Sequence, residues 1–174
     1  MALEKLTFVL GGAASGKSAF AESLVLQRGL DPVYIATAQV FDDEMATKVA
    51  RHRDMRGNNW TTIEEPFAVA STLKQIGPDH AVLIDCATLW LTNIMLAKHD
   101  IAAECSALIT ALRTCRCPVV IVSNEVGQGI VPENALSRNF RNAQGTLNQA
   151  IAAEAEVVVA VMAGLPLMLK GSLP

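Results

Sequence analysis

The sequence predicts an α/β protein with a doubly wound, mostly parallel sheet flanked by helices and an antiparallel hairpin at its C-terminal edge. Three observations predict it. Apolar runs of strand length alternate with helical patterns along the chain. The runs Val82–Ile84, Val119–Val122 and Val157–Val161 do not alternate polar with apolar, so both faces of those strands are covered, as in a parallel sheet. The stretch Gly11-Gly12-Ala13-Ala14-Ser15-Gly16-Lys17-Ser18 reads G-x-x-x-x-G-K-S, directly after one apolar run and directly before a helical pattern. That last signature makes the expected architecture P-loop NTPase-like.

Each element has its own local reason. Leu6–Leu10 is an apolar strand feeding the glycine-rich loop. Lys17–Gln27 is a helix with Ala21, Leu24 and Val25 turned inward, ended by Gly29. Pro32 introduces the strand Val33–Ala36. Asp42-Asp43-Glu44 places three carboxylates at the start of a helix running to about Arg56, which suits the positive end of the helix dipole. Gly57–Asn59 is a turn and Trp60–Glu64 a short strand. Pro66 opens a helix that ends before Gly77-Pro78-Asp79. Ala81–Asp85 is a buried strand, Leu89–Lys98 and Ala103–Thr114 are helical, and Pro118 begins the strand Val119–Ser123. A long loop, Asn124–Asn134, precedes the helix Ala135–Glu154, which Gly145 weakens at its middle. Val157–Met162 is the last long strand; Val157–Leu169 reads as buried strand interrupted by Gly164 and Pro166, with Leu165–Lys170 returning as a hairpin.

Composition bounds the rest. With 174 residues, 51% of them hydrophobic and 18% charged, residues 1–174 are expected to form a single nucleotide-binding domain with a substantial core. Aromatics make up only 5%, so Ala, Val, Leu and Ile fill that core and base-stacking platforms are not expected. A net charge of -3 argues against a nucleic-acid partner. The N-terminus is short and mixed in charge, unlike a signal peptide, and no run reaches the roughly 18 apolar residues of a membrane span. A cytoplasmic location follows as the expectation. Cys86, Cys105, Cys115 and Cys117 lack the paired spacing and nearby histidines of a zinc site, and read as free thiols.

Chemistry concentrates at the carboxyl edge of a parallel sheet. In the P-loop, glycines let backbone N–H groups converge on a phosphate, and the following helix adds its positive end. Lys17 reaches the outer phosphates and Ser18 offers its hydroxyl to Mg²⁺. The second strand delivers Ala36, Thr37 and Ala38 to the same edge; the Val119–Val122 run delivers Ser123, Asn124 and Glu125. Asp85 follows three apolar residues, as a Mg²⁺-holding carboxylate would, or else caps the next helix. Lys48, His52 and Arg56 recur every fourth residue on one helical face. Neighbouring cations favour neutral imidazole, the nucleophilic form, and would neutralise a phosphate under attack. From the spacing alone, a solvated basic helix face is the preferred reading. His80, His99 and Trp60 read as structural, and Glu64 as a strand-end residue near the ligand edge.

These residues together resemble the bifunctional adenosylcobinamide kinase / adenosylcobinamide-phosphate guanylyltransferases. The resemblance spans nearly the whole chain: Gly11–Ser18, Tyr34–Gln39, Asp42–Met45, His52–Arg56, Trp60 and Glu64, the block Ser123–Asn134, Phe140-Arg141, Gly145 and Asn148-Gln149. It implies two reactions. The aminopropanol hydroxyl of adenosylcobinamide is phosphorylated from ATP or GTP. GTP then guanylylates a histidine, and GMP passes to adenosylcobinamide phosphate, giving adenosyl-GDP-cobinamide and pyrophosphate.

The family's guanylylated histidine falls on His52, and its nucleotide contacts on Gly11, Gly12, Ala13, Ala14, Ser15, Gly16, Lys17 and Ser18, on Ala36 to Ala38, on Arg53, Asp54, Met55 and Arg56, on Glu64 and on Asp85. Ser18 and Asp85 are the residues expected to hold Mg²⁺, from the P-loop and the strand-end carboxylate pattern. The resemblance also implies a homo-oligomer, a trimer. Family members usually have Arg where Ala14 stands, often Glu where Asp85 stands, and some a second His where Arg51 stands. Two simpler functions fit the P-loop itself: a small-molecule kinase without a covalent step, and a non-catalytic nucleotide-binding regulator.

Overall fold

A computed structural model describes residues 5–39 and 59–173. The helix expected from Asp42 to about Arg56, with His52, Arg53, Asp54, Met55 and Arg56, lies outside the described residues.

The elements in chain order are β1 (Leu6–Gly11), α1 (Lys17–Leu26), β2 (Asp31–Ala36), β3 (Thr61–Glu64), α2 (Val69–Gln75), β4 (His80–Asp85), α3 (Ala87–Leu96), α4 (Ile101–Thr114), β5 (Val119–Asn124), α5 (Ala135–Glu154), β6 (Val157–Met162) and β7 (Leu165–Lys170). They build a seven-stranded sheet in the order β3-β2-β4-β5-β1-β6-β7. All pairings are parallel except β6 with β7. The doubly wound sheet and the antiparallel hairpin are therefore as expected. β1 sits centrally, with Gly11 beside Asn124 of β5 and Val161 of β6.

The unbroken apolar runs are explained by two cores, one on each face of the sheet. Alternate residues of β1, β2, β4, β5 and β6 feed opposite cores. Phe8, Ile35, Ile84 and Ile121 enter the larger one with Trp90, Leu91, Leu112 and Ile151. Val9, Tyr34, Leu83 and Val122 enter the other, against Ala21, Leu24 and Val25 of α1. The three inward residues of α1 are the three expected from its spacing. Trp60 stacks edge-on against Tyr34, with ring centroids 6.1 Å apart, in the packing role expected of it.

Some boundaries move: the helix expected to open at Pro66 starts at Val69, and α3 starts at Ala87 rather than Leu89. Helix α4 starts at Ile101 rather than Ala103 because the Asp100 carboxylate accepts the Ala103 N–H at 3.1 Å. Asn134 caps α5 the same way, accepting from Ser137 at 2.7 Å. All four cysteines are free thiols. No helix among the described residues is long and apolar enough to cross a membrane.

One expectation is corrected. The sequence predicts buried strand throughout residues 157–169, and only Val157–Val159 and Val161 of β6 are buried. Every residue of β7 is exposed, including Leu165, Leu167 and Leu169. Among the described residues, β7 ends the sheet and pairs with β6 alone.

Candidate functional site

The chain leaves β1 at Gly11 and turns through the glycine-rich loop into α1. Gly16 is the N-cap residue of α1 with φ 92°, a left-handed conformation that suits glycine. Ala14 also takes positive φ, 54°, which strains a residue with a Cβ. The backbone N–H groups of Ala13, Ala14, Gly16, Lys17 and Ser18 donate to nothing among the described residues, and no side chain caps α1. A row of free amides at a helix N-terminus is a seat for a phosphate chain. Lys17 folds back over the loop, its Nζ donating to the Gly12 carbonyl at 2.9 Å. Burial lowers the pKa of Lys17 from its ordinary value, with the Asp85 carboxylate pulling the other way.

The loop is braced from behind. Gly164, in the β6–β7 turn, donates its N–H to the Ser15 carbonyl at 2.8 Å. A Cβ on Gly16 would stand 3.0 Å from the Gly164 Cα, so both glycines permit this close approach. A Cβ on Gly11 would come within 2.6 Å of the Val161 carbonyl oxygen, which keeps that position bare as well.

Asp85 ends β4, two strands from β1 with β5 between them. Tyr34 Oη donates to its Oδ2 at 3.0 Å and so orients the carboxylate. The adjacent Cys86 thiol is pushed up to about 12, by burial first and by Asp85 second, so it stays neutral. The Thr37 hydroxyl is committed to Cys86, accepting its N–H at 2.7 Å and donating to its carbonyl at 2.8 Å. Asn93 Nδ2 in turn donates to the Thr37 carbonyl at 2.8 Å. These bonds tie the ends of β2 and β4 together, as does the Thr37 N–H donating to the Asp85 carbonyl.

Behind β5 lies a buried polar cluster. Ser123 Oγ donates to Asn148 Oδ1 at 2.7 Å and accepts from Gln144 Nε2 at 2.9 Å; the Asn124 N–H donates to Thr88 Oγ1 at 2.8 Å. Such a network fixes the strand end beside the P-loop with little freedom to shift.

Comparison with known proteins places this arrangement. Residues 7–169 match the family described as cobinamide kinase / cobinamide phosphate guanyltransferase. The chain belongs to this family. Its relatives include the bifunctional adenosylcobalamin biosynthesis protein CobP of Pseudomonas aeruginosa, 45% identical over 94% of this chain and 96% of the relative. The bifunctional adenosylcobalamin biosynthesis protein CobU of Salmonella typhimurium is 41% identical over 95% of this chain and 99% of the relative. The sheet is also similar to those of the RadB recombinase (TM-score 0.53, 19% identity, 89% of this chain, 73% of that one) and the flagellar accessory protein FlaH of Methanocaldococcus jannaschii (TM-score 0.53, 12% identity, 98% of this chain, 82% of that one). Those two likenesses concern the fold alone.

In this member of the cobinamide kinase / cobinamide phosphate guanyltransferase family, the sheet's carboxyl edge gathers most of the residues singled out from sequence. Gly11–Ser18, Ala36–Ala38, Glu64, Asp85 and Asn124 all lie at strand ends there or directly after them, with Ala36 beside both Glu64 and Asp85. His52 and Arg53–Arg56 are outside the described residues. His99 is structural as expected: it stacks near Phe67 and its Nδ1 lies 3.4 Å from Glu104 Oε1. Sequence reasoning missed the bracing by Gly164 and the orientation of Asp85 by Tyr34. Neither had a local signal, because Tyr34 and Asp85 are 51 residues apart in the chain.

Proposed function

We propose that this protein phosphorylates adenosylcobinamide from a nucleoside triphosphate and then transfers GMP from GTP, through a guanylylated His52, to adenosylcobinamide phosphate. The observation that carries this reading is the match to the family over residues 7–169, on a chain whose P-loop amides are free to receive a triphosphate. The experiment is incubation of the protein with adenosylcobinamide, GTP and Mg²⁺, with the cobinamide phosphate and adenosyl-GDP-cobinamide products resolved separately. Formation of neither product rejects the reading. Cobinamide phosphate alone reduces the protein to a kinase.

In the phosphorylation step the free amides of the loop and the Lys17 ammonium hold the outer phosphates in line with the attacking hydroxyl. The oxygen donors Ser18 and Asp85 suit Mg²⁺, a hard cation that takes few protein ligands and completes its shell with phosphate and water. When bound, Mg²⁺ supplies neutralisation of phosphate charge. Asp85→Asn keeps the Tyr34 contact sterically possible but removes the charge. Turnover in both steps is expected to fall about 10²-fold or more at low Mg²⁺ and to recover partly as Mg²⁺ is raised. Unchanged Mg²⁺ dependence would exclude Asp85 from metal binding.

The same reading includes a homo-oligomer, a trimer by the family resemblance. It is supported by the apolar exposed strand at the sheet edge, where Leu165, Leu167 and Leu169 are 71%, 61% and 56% exposed. Contiguous apolar surface of this kind marks a contact face. Leu167→Lys is expected to shift the mass in sedimentation equilibrium toward the monomer; an unaltered oligomer, or a monomeric parent, rules β7 out as that face.

A further inference from the structure

We propose that the groove between the β5–α5 loop and the outer face of α5 seats the corrinoid substrate, taking the amide-bearing edge that carries its aminopropanol phosphate. This rests on the function proposed above. The groove has a volume of about 580 Å³ and is lined by Gly127, Val131, Arg138, Arg141, Gly145 and Gln149 among others. That volume suits one edge of a macrocycle, not its enclosure.

Position is the first argument. Glu125, two residues before Gly127, donates its backbone N–H to the Gly11 carbonyl at 3.1 Å. One wall of the groove is therefore hinged on the first residue of the P-loop, and a substrate seated there has its reactive arm beside the phosphate cradle.

The floor is the second argument. Gly145 stands inside α5, where glycine weakens a helix relative to alanine. Among the described residues, a Cβ at Gly145 would meet nothing within 4 Å. The protein's own packing thus gives no reason for glycine there, whereas a ligand lying close on the bare backbone does.

The third argument is the polar lining. Arg138 Nη1 donates to the Pro132 carbonyl at 3.0 Å and to the Glu133 carbonyl, and Arg141 Nη2 donates to the Gly127 carbonyl. Neither guanidinium pairs with a carboxylate among the described residues. Each guanidinium has N–H groups beyond those bonds, which suit a phosphate or an amide carbonyl. The Gln149 and Asn142 amides supply matched donors and acceptors for amide arms. Among the described residues, no aromatic side chain lines the groove to stack on a nucleobase.

The test is equilibrium dialysis of adenosylcobinamide phosphate, read by corrinoid absorbance, against the parent protein, Gly145→Leu and Gly145→Ala, with GTP affinity and Tm measured in parallel. Gly145→Leu is expected to raise the corrinoid Kd about tenfold or more while the GTP Kd stays within about twofold. Gly145→Ala is expected to weaken corrinoid binding in the same direction with a Tm at or above that of the parent. Gly145→Leu binding the corrinoid like the parent overturns the groove as the seat. Loss of corrinoid and GTP binding together, with a lowered Tm in both variants, overturns it too, by making Gly145 a packing residue. A parent that binds no adenosylcobinamide phosphate removes the proposed function and the seat with it, whereas parent-like binding by Gly145→Leu removes only the seat.

Discussion

His52→Ala is expected to abolish the acid-labile, base-stable label that GTP carrying a labelled α-phosphate leaves on the protein, and to stop formation of adenosyl-GDP-cobinamide. Phosphorylation of adenosylcobinamide should continue. The proposed chemistry is a double displacement. A neutral imidazole nitrogen of His52 attacks the α-phosphorus, the bond from that phosphorus to the bridging oxygen breaks, and pyrophosphate leaves with the electron pair. An oxygen of cobinamide phosphate then attacks the phosphoramidate, the P–N bond breaks, and the imidazole is restored. Alanine offers no atom to carry GMP, so the second product should fall on the order of 10⁴-fold or more, as when other covalent nucleophiles are removed. A label that persists in His52→Ala would assign the covalent step to another residue. Loss of both products together would point instead to damage of the shared nucleotide site.

Lys17→Ala is expected to cut both activities, by about 10²–10³-fold in kcat, or roughly 3–4 kcal/mol of transition-state stabilisation. The structure explains why the effect is large. Lys17 is half-buried, its ammonium reaches back to the Gly12 carbonyl at 2.9 Å, and burial already lowers its pKa. A cation held in such a place is pre-organised for phosphate charge, so little reorganisation accompanies the reaction. Lys17→Arg should recover little of it, because a planar fork does not replace a compact ammonium in a tight loop. Steady-state kinetics of the two steps decide the matter. A Lys17→Ala protein with parental kcat in the phosphorylation step would take Lys17 out of the transition state.

Much of the candidate site was legible because its signals are contiguous. Gly11–Ser18 specifies its own turn, its own amides and its own helix start within eight residues. The apolar runs likewise foretold strands covered on both faces, and alternate residues such as Phe8 and Val9 do enter opposite cores. The start of α4 was misjudged because a side-chain cap at Asp100 competes with apolar periodicity, and β7 because apolar content does not reveal whether a neighbour covers it.

By itself, then, the sequence determined most of the described elements, the glycine-rich turn between β1 and α1 and the family to which the chain belongs, all of which rest on short-range preference or on ordered motifs. Only the tertiary structure decided the strand order that puts β5 between the P-loop strand and Asp85, the Gly164 brace behind Ser15, the Tyr34 bond to Asp85 and the bare Gly145 floor of an open groove. Each of these depends on which distant segments become neighbours. That is set by simultaneous burial of both sheet faces, and no local preference encodes it.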